Sequence, residues 1–244
     1  MNHKIKNASP TSLDGINFKS VLERATYKLL KECGFDPKYE EVKFTLFEGF
    51  KPILLFFSRN KEKQLCTDKK TILPITYTPD FTMVYKDLYV IIEVKGFAND
   101  VFPYKFKMFR KVLETLAKQD TRYKYVLVEI FTQAQLKQFI SVLKAYDPME
   151  CKISEEDLNY CLVDDYDCLK AKALLLNKNY QDLETLIRKA QRKRAKEVKA
   201  EGGNAWKDDR YVKMFSLINT LAVYNVTVGI EDAYLESLET SSES

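Results

Sequence analysis

Apolar residues recur at Phe18, Val21, Ala25 and Leu29, close to the repeat of a helix, and Gly34 supplies a stop. The stretches YEEVKFTLF and PILLFF then read as two strands, parted by EGFK, where Gly49 permits a turn. After the charged loop RNKEKQLCTDKKT, residues 76–96 (TYTPDFTMVYKDLYVIIEVKG) alternate as two strands of a hairpin that turns at Lys86-Asp87. Phe102, Phe106, Phe109, Leu113 and Leu116 mark one face of a second helix. Residues 122–131 read as a buried strand, and a third helix runs from about 132 to 146 with Thr132 as its cap. This order predicts a mixed α/β layer, a central sheet flanked by helices.

Asp147-Pro148 is the natural boundary. Beyond it the pattern is helical throughout, which divides the chain into a flexible N-terminal arm (1–16), a mixed core (17–148) and a helical C-terminal region with an acidic, disordered tail (149–244).

Composition narrows the class. With 244 residues, 45% of them hydrophobic, and only 7 Gly and 7 Pro, the chain can fill its own interior and is neither fibrous nor disordered. The five cysteines are odd in number, form no CxxC pair and lie far from the single histidine, His3, so no disulfide framework or zinc site is expected. No signal-like segment or membrane-length apolar run is present, and a cytoplasmic protein without membrane association is the expectation. Net charge is only +4, but its distribution is uneven, with basic clusters at KFKMFRK and RKAQRKRAKEVK.

The hairpin carries the candidate chemistry. A turn at Lys86-Asp87 sets Tyr85 opposite Leu88 and Val84 opposite Tyr89; extended outward, the register brings Asp80 opposite Glu93, with Lys95 on the same face. Phe81, Met83, Val90, Ile92 and Val94 then form the other, dry face. Two opposed carboxylates repel, and partial burial raises the cost of both charges. A hard cation such as Mg²⁺, held by one or two carboxylates, waters and a substrate phosphate, relieves both. The Val94 carbonyl offers another oxygen, and Lys95 is placed to orient a water or to meet charge developing on a phosphate. The alternative for these residues is a surface ion pair and an ordinary strand start.

Thr78-Pro79-Asp80-Phe81 followed by Glu93-Val94-Lys95-Gly96, after a helix bearing Glu23, resembles the PD-(D/E)XK nuclease superfamily over roughly residues 18–146. The resemblance implies a restriction-endonuclease-like core and Mg²⁺-dependent cleavage of DNA, with Mn²⁺ able to substitute. In that reading Asp80 and Glu93 bind the metal and Lys95 serves the attacking water. Glu23 completes the shell directly or through water; alternatively it is a solvated helix residue, and Glu32, Glu40 and Glu41 compete for its role. The wording PDF…EVKG, with Tyr104 and Lys107 downstream, is similar to small phage nucleases near Holliday-junction resolvases. That likeness implies branched or mobile-element DNA as substrate, a phage origin within a host cytoplasm, and a homodimer.

Lys105, Lys107, Arg110 and Lys111 on the second helix are candidate phosphate contacts, or else a solvated face. In the C-terminal region, residues 188–199 hold seven basic residues, Arg188, Lys189, Arg192, Lys193 and Arg194 among them, against one acid. They suit a nucleic-acid backbone or an acidic partner. RNA cleavage, an idle nucleic-acid-binding fold, and a protein partner engaged through the C-terminal helices are the rival readings.

Overall fold

A computed structural model describes residues 10–96 and 101–226. The fold is mixed α/β with an α-helical C-terminal extension. Strands β1 (Thr11–Leu13) and β2 (Ile16–Phe18) form an antiparallel hairpin, so the last part of the expected N-terminal arm is ordered; Leu13 and Ile16 pack on the main core and hold it there. Residues 1–9 of that arm lie outside the described residues. Helix α1 (Val21–Glu32) begins where the Ser20 side chain accepts from the Glu23 amide. It ends beside Gly34, whose φ of +85° suits glycine.

A four-stranded sheet follows, built from β3 (Lys38–Tyr39), β8 (Phe81–Tyr85), β9 (Leu88–Val94) and β10 (Lys124–Ile130) in the order β10-β9-β8-β3. The intervening strands β4 (Phe44–Phe47), β5 (Phe57–Arg59), β6 (Leu65–Thr67) and β7 (Ile75–Tyr77) pair only among themselves, β4 with β7 and β5 with β6. Only Phe57 of the stretch PILLFF enters a strand. Its side chains face outward instead of entering a core, because no helix or third strand covers that part of the chain.

Helix α2 (Phe102–Gln119) makes the crossover between β9 and the parallel strand β10. β10 lies at the sheet edge, which is why it is half-buried, with only Ile130 fully enclosed, and not the buried strand its apolar run predicts. Helix α3 (Gln133–Ala145) starts at a capping box formed by Thr132 and Gln135.

The two sheet faces have different covers. Phe81, Met83, Leu88, Val90 and Ile92 join Leu30 of α1 and Leu136, Ile140 and Leu143 of α3 in the main core. Full burial of each such side chain contributes about 1.5–3 kcal/mol. Ile91 on the opposite face packs with Tyr77, Phe109 and Leu113 under α2.

The C-terminal region comprises α4 (Glu155–Cys161), α5 (Asp165–Leu176), α6 (Tyr180–Ala200) and α7 (Asp209–Tyr224) around a second apolar cluster. The end of α7 reaches back to the first core. Val223 is buried there, and the Tyr224 hydroxyl accepts from the Asp147 amide at 3.0 Å and donates to the Glu150 carbonyl at 3.1 Å. The expected boundary at Asp147-Pro148 is thus pinned to the last described helix. The acidic tail lies outside the described residues. Among them, no helix is long and apolar enough to cross a membrane.

Candidate active site

β8 and β9 pair in the expected register, Tyr85 with Leu88, Val84 with Tyr89 and Phe81 with Ile92. Extending that register by one position sets Asp80 against Glu93. At the turn, Lys86 takes a φ of +57°. The α3 end secures this turn: the Tyr146 hydroxyl donates to Asp87 at 2.8 Å, and the Lys86 ammonium donates to the Tyr146 carbonyl.

Both carboxylates are buried, Asp80 at 9% exposure and Glu93 at 3%. Asp80 Oδ2 accepts the Val94 amide at 2.6 Å, which ties the start of β8 to the end of β9. Glu93 Oε1 meets the Lys95 ammonium at 2.6 Å, while Glu93 Oε2 is enclosed without a hydrogen-bond partner. Lys95 also lies 4.2 Å from the centroid of Phe102, the first residue of α2. The start of α2 therefore lies beside the site.

Burial, followed by the neighbouring Glu93 charge, pushes the Asp80 carboxyl up to about 8; the Val94 amide and Lys95 pull the other way. Burial raises Glu93 as well, against the pull of Lys95. Tyr77, stacked on Phe109 at 4.4 Å, is raised far above the usual phenol range by burial and by the Glu93 charge. Its hydroxyl faces the Glu93 carboxylate, short of good hydrogen-bond geometry. Two desolvated acids form a site short of positive charge, since Lys95 alone faces both.

Glu23 is buried near this site, and its charge is felt by Asp80. Its oxygens are occupied: Oε1 accepts from Ser20 Oγ at 2.8 Å, and Oε2 accepts from the Tyr39 hydroxyl at 2.6 Å and the Lys19 amide at 3.0 Å. The side chain fastens the α1 start to β3 and is not solvated. Of its competitors, Glu40 pairs with Lys19 and Glu32 with Lys28 on the outer helix surface.

Residues beyond the sequence reading also gather here. Parallel pairing sets Glu129 of β10 beside Glu93, and Tyr77, Tyr39 and Lys19 border the acids. Glu129 interrupted the apolar run of a strand read as buried, and Tyr77 stood three residues before Asp80, so a charge inside that run and proximity were the available signals.

Lys107, Arg110 and Lys111 are exposed along α2, and Lys105 is half-buried. On α6, Lys189, Arg192 and Lys193 are exposed, whereas Arg188 pairs with Glu184 at 2.7 Å. Arg194 is spent internally, bound to Asp208 at 2.6 Å and flanked by Glu197 and Glu201. It serves to join α6 to the start of α7.

Among the described residues, no three His, Cys, Asp or Glu side chains group in the manner of a metal cage. Mg²⁺ needs no such cage, since one or two carboxylates with waters and substrate oxygens commonly suffice. The Asp80–Glu93 pair offers two buried carboxylates of that kind.

The fold and site together define a mixed α/β domain that presents paired buried carboxylates and a lysine at the end of two adjacent strands. A family model, described as a protein of unknown function (DUF1064), matches residues 3–136, and the chain belongs to that family. The match takes in Asp80, Glu93 and Lys95 and stops short of the C-terminal helices. No curated protein and no solved structure matches the chain.

The electrostatics carry a first expected result. An acid whose folded pKa is raised binds more protons folded than unfolded, so its contribution to stability falls as pH rises from about 4 through about 8. Asp80→Asn in metal-free buffer is therefore expected to be more stable than the parent, by about 1–3 kcal/mol at pH 8 and by less at pH 5. Thermal melts at both pH values measure this, and a variant less stable at pH 8 contradicts it.

Proposed function

We propose that this chain is a divalent-metal-dependent endonuclease that hydrolyses DNA phosphodiester bonds at Asp80, Glu93 and Lys95. The observation carrying this reading is the convergence of two buried, mutually repelling acids and one lysine at the end of β8 and β9, beside the start of a basic helix.

Asp80 and Glu93, with the Val94 carbonyl, would hold Mg²⁺ or Mn²⁺. When bound, the metal supplies Lewis acidity toward a phosphoryl oxygen and lowers the pKa of a coordinated water. The chain's own groups do the rest. Lys95, held by Glu93 and Phe102, orients the attacking water and offsets charge that builds on the phosphate. Attack forms the new P–O bond as the bond to the leaving sugar oxygen breaks. The exposed Lys107, Arg110 and Lys111 of α2 hold flanking phosphates. Glu23, through Tyr39 and Ser20, fixes the position of β3 next to Asp80 and acts as a positioning residue. A branched-DNA preference, a phage setting and a cytoplasmic location extend the same reading.

The test is a substrate panel. Parent, Glu93→Ala and Lys95→Ala are assayed with Mg²⁺ or Mn²⁺ on single-stranded, duplex and branched DNA and on RNA. Metal-dependent DNA cleavage by the parent, lost in both variants, is expected. Undiminished cleavage by both variants, or none by the parent on any substrate, rejects the proposal. Cleavage confined to RNA reassigns the substrate, because the metal site itself does not read the sugar.

A further inference from the structure

The chain between β4 and β7 projects as a two-stranded ribbon. β4 pairs with β7, Phe50 bridges Ile72, the Asp68 amide donates to the Phe56 carbonyl at 2.8 Å, and β5 pairs with β6 toward the tip. Gly49 makes the close approach possible, since a Cβ there would lie 2.8 Å from the Ile72 carbonyl oxygen. An isolated two-stranded ribbon is marginal in water, because it has no face to bury and two unpaired edges.

This ribbon is also apolar. Ile53 is fully exposed, Leu54 is 79% and Leu73 75% exposed, and Phe50, Phe56 and Leu65 lie open beside them. The arm's large side chains present on the order of 1,000 Å² of apolar surface, more than the few hundred Å² a monomer ordinarily leaves in one patch and comparable with the ~800 Å² each partner gives to a standard interface. A groove of about 580 Å³ runs between Phe50, Ile53, Leu54 and Leu73.

We infer that this arm is a self-association surface whose occupant is a second copy of the chain. Three features select that occupant. The exposed area matches what a stable dimer needs from each side. Both ribbon edges are free among the described residues, so two copies can meet through the same patch, as a two-fold contact requires. Residues 52–57 carry no charge, while the chain around them from 51 to 74 carries six basic residues, Lys51, Arg59, Lys61, Lys63, Lys69 and Lys70, against Glu62 and Asp68. The uncharged apolar centre is that of a protein interface, whereas a surface built for nucleic acid places its positive charge at the contact itself. Because β7 ends three residues before Asp80, a two-fold contact here also sets the spacing of the two Asp80 sites. The inference does not depend on the nuclease assignment.

The experiment is the mass of the full chain by light scattering and sedimentation at micromolar concentration. Twice the 28.5 kDa of one chain is expected. Leu54→Glu/Leu73→Glu is expected to weaken association by about a hundredfold or more and to run as one chain with an unchanged circular dichroism spectrum. Val163→Glu, altering an exposed apolar residue of the helical region, is expected to stay dimeric. A parent that remains one chain, or aggregates without a two-chain species, overturns the inference, whatever else the arm then binds. A double variant that stays dimeric, or a Val163→Glu chain that dissociates, also overturns it.

Discussion

Lys95→Ala is expected to cleave DNA about a thousandfold more slowly than the parent while binding Mn²⁺ at least as tightly, a loss in the range for removal of one group acting on the attacking water or the developing charge. The ammonium lies 2.6 Å from Glu93 Oε1 and, on the proposed reading, would compete with a cation for that oxygen. Its removal leaves Asp80 and Glu93 without their nearest positive charge, so the pair gains attraction for a divalent ion. Glu93→Ala should instead lose metal and activity together. Paramagnetic titration with Mn²⁺ separates the two effects, as does the rise in melting temperature on adding metal, which only a metal-binding variant should show. If Lys95→Ala loses metal binding in step with activity, the lysine supports the acids and does not serve the water. Equal cleavage by Lys95→Ala and the parent would remove the residue from the mechanism altogether.

Phe81→Ala is expected to produce the largest loss of stability. Phe81 is fully buried, sits opposite Ile92 in the sheet, and packs against Tyr39 at 5.3 Å and Phe18 at 6.4 Å between ring centroids. Truncating such a ring removes its transfer free energy and leaves a cavity, together about 3–5 kcal/mol. Against a total of about 5–15 kcal/mol this is a large fraction, and in a chain of this size it lowers the melting temperature by roughly 8–15 °C. The effect extends to the candidate site, because Tyr39, which holds Glu23, loses its packing support. Phe81→Leu keeps most of the volume and should lose only about 1–1.5 kcal/mol. Denaturant midpoints of the two variants give the comparison; a Phe81→Ala loss below 1 kcal/mol would show that the cavity closes.

Much of the site was legible because a strand has a short period. Once the turn was placed at Lys86-Asp87, two-residue alternation assigned a face to each residue from Asp80 to Lys95, and the pairs Tyr85–Leu88 through Phe81–Ile92 follow that assignment. The α3 start was readable for a similar reason, since Thr132 acts on a backbone amide three residues away. The stretch PILLFF read as a strand from its apolar composition, yet only Phe57 enters one, because pairing and cover depend on whether another element arrives. β10 was read as buried for the same reason, and its edge position limits that burial. Arg194 looked like its neighbours in a basic run until Asp208, fourteen residues away, took its guanidinium.

The sequence alone determined the succession of α1, the β8–β9 hairpin, α2, β10 and α3, the facing of Asp80, Glu93 and Lys95, and the positive character of α2 and α6, since each depends on local pattern. Tertiary structure decided that Glu23 is consumed by Tyr39 and Ser20, that Glu129 stands beside Glu93, that Tyr224 pins the boundary at Asp147, and that the apolar β4–β7 arm is left uncovered. Those outcomes are contacts, or missing contacts, between distant segments. Local periodicity can set which way a side chain points, but only chain topology sets what it meets there.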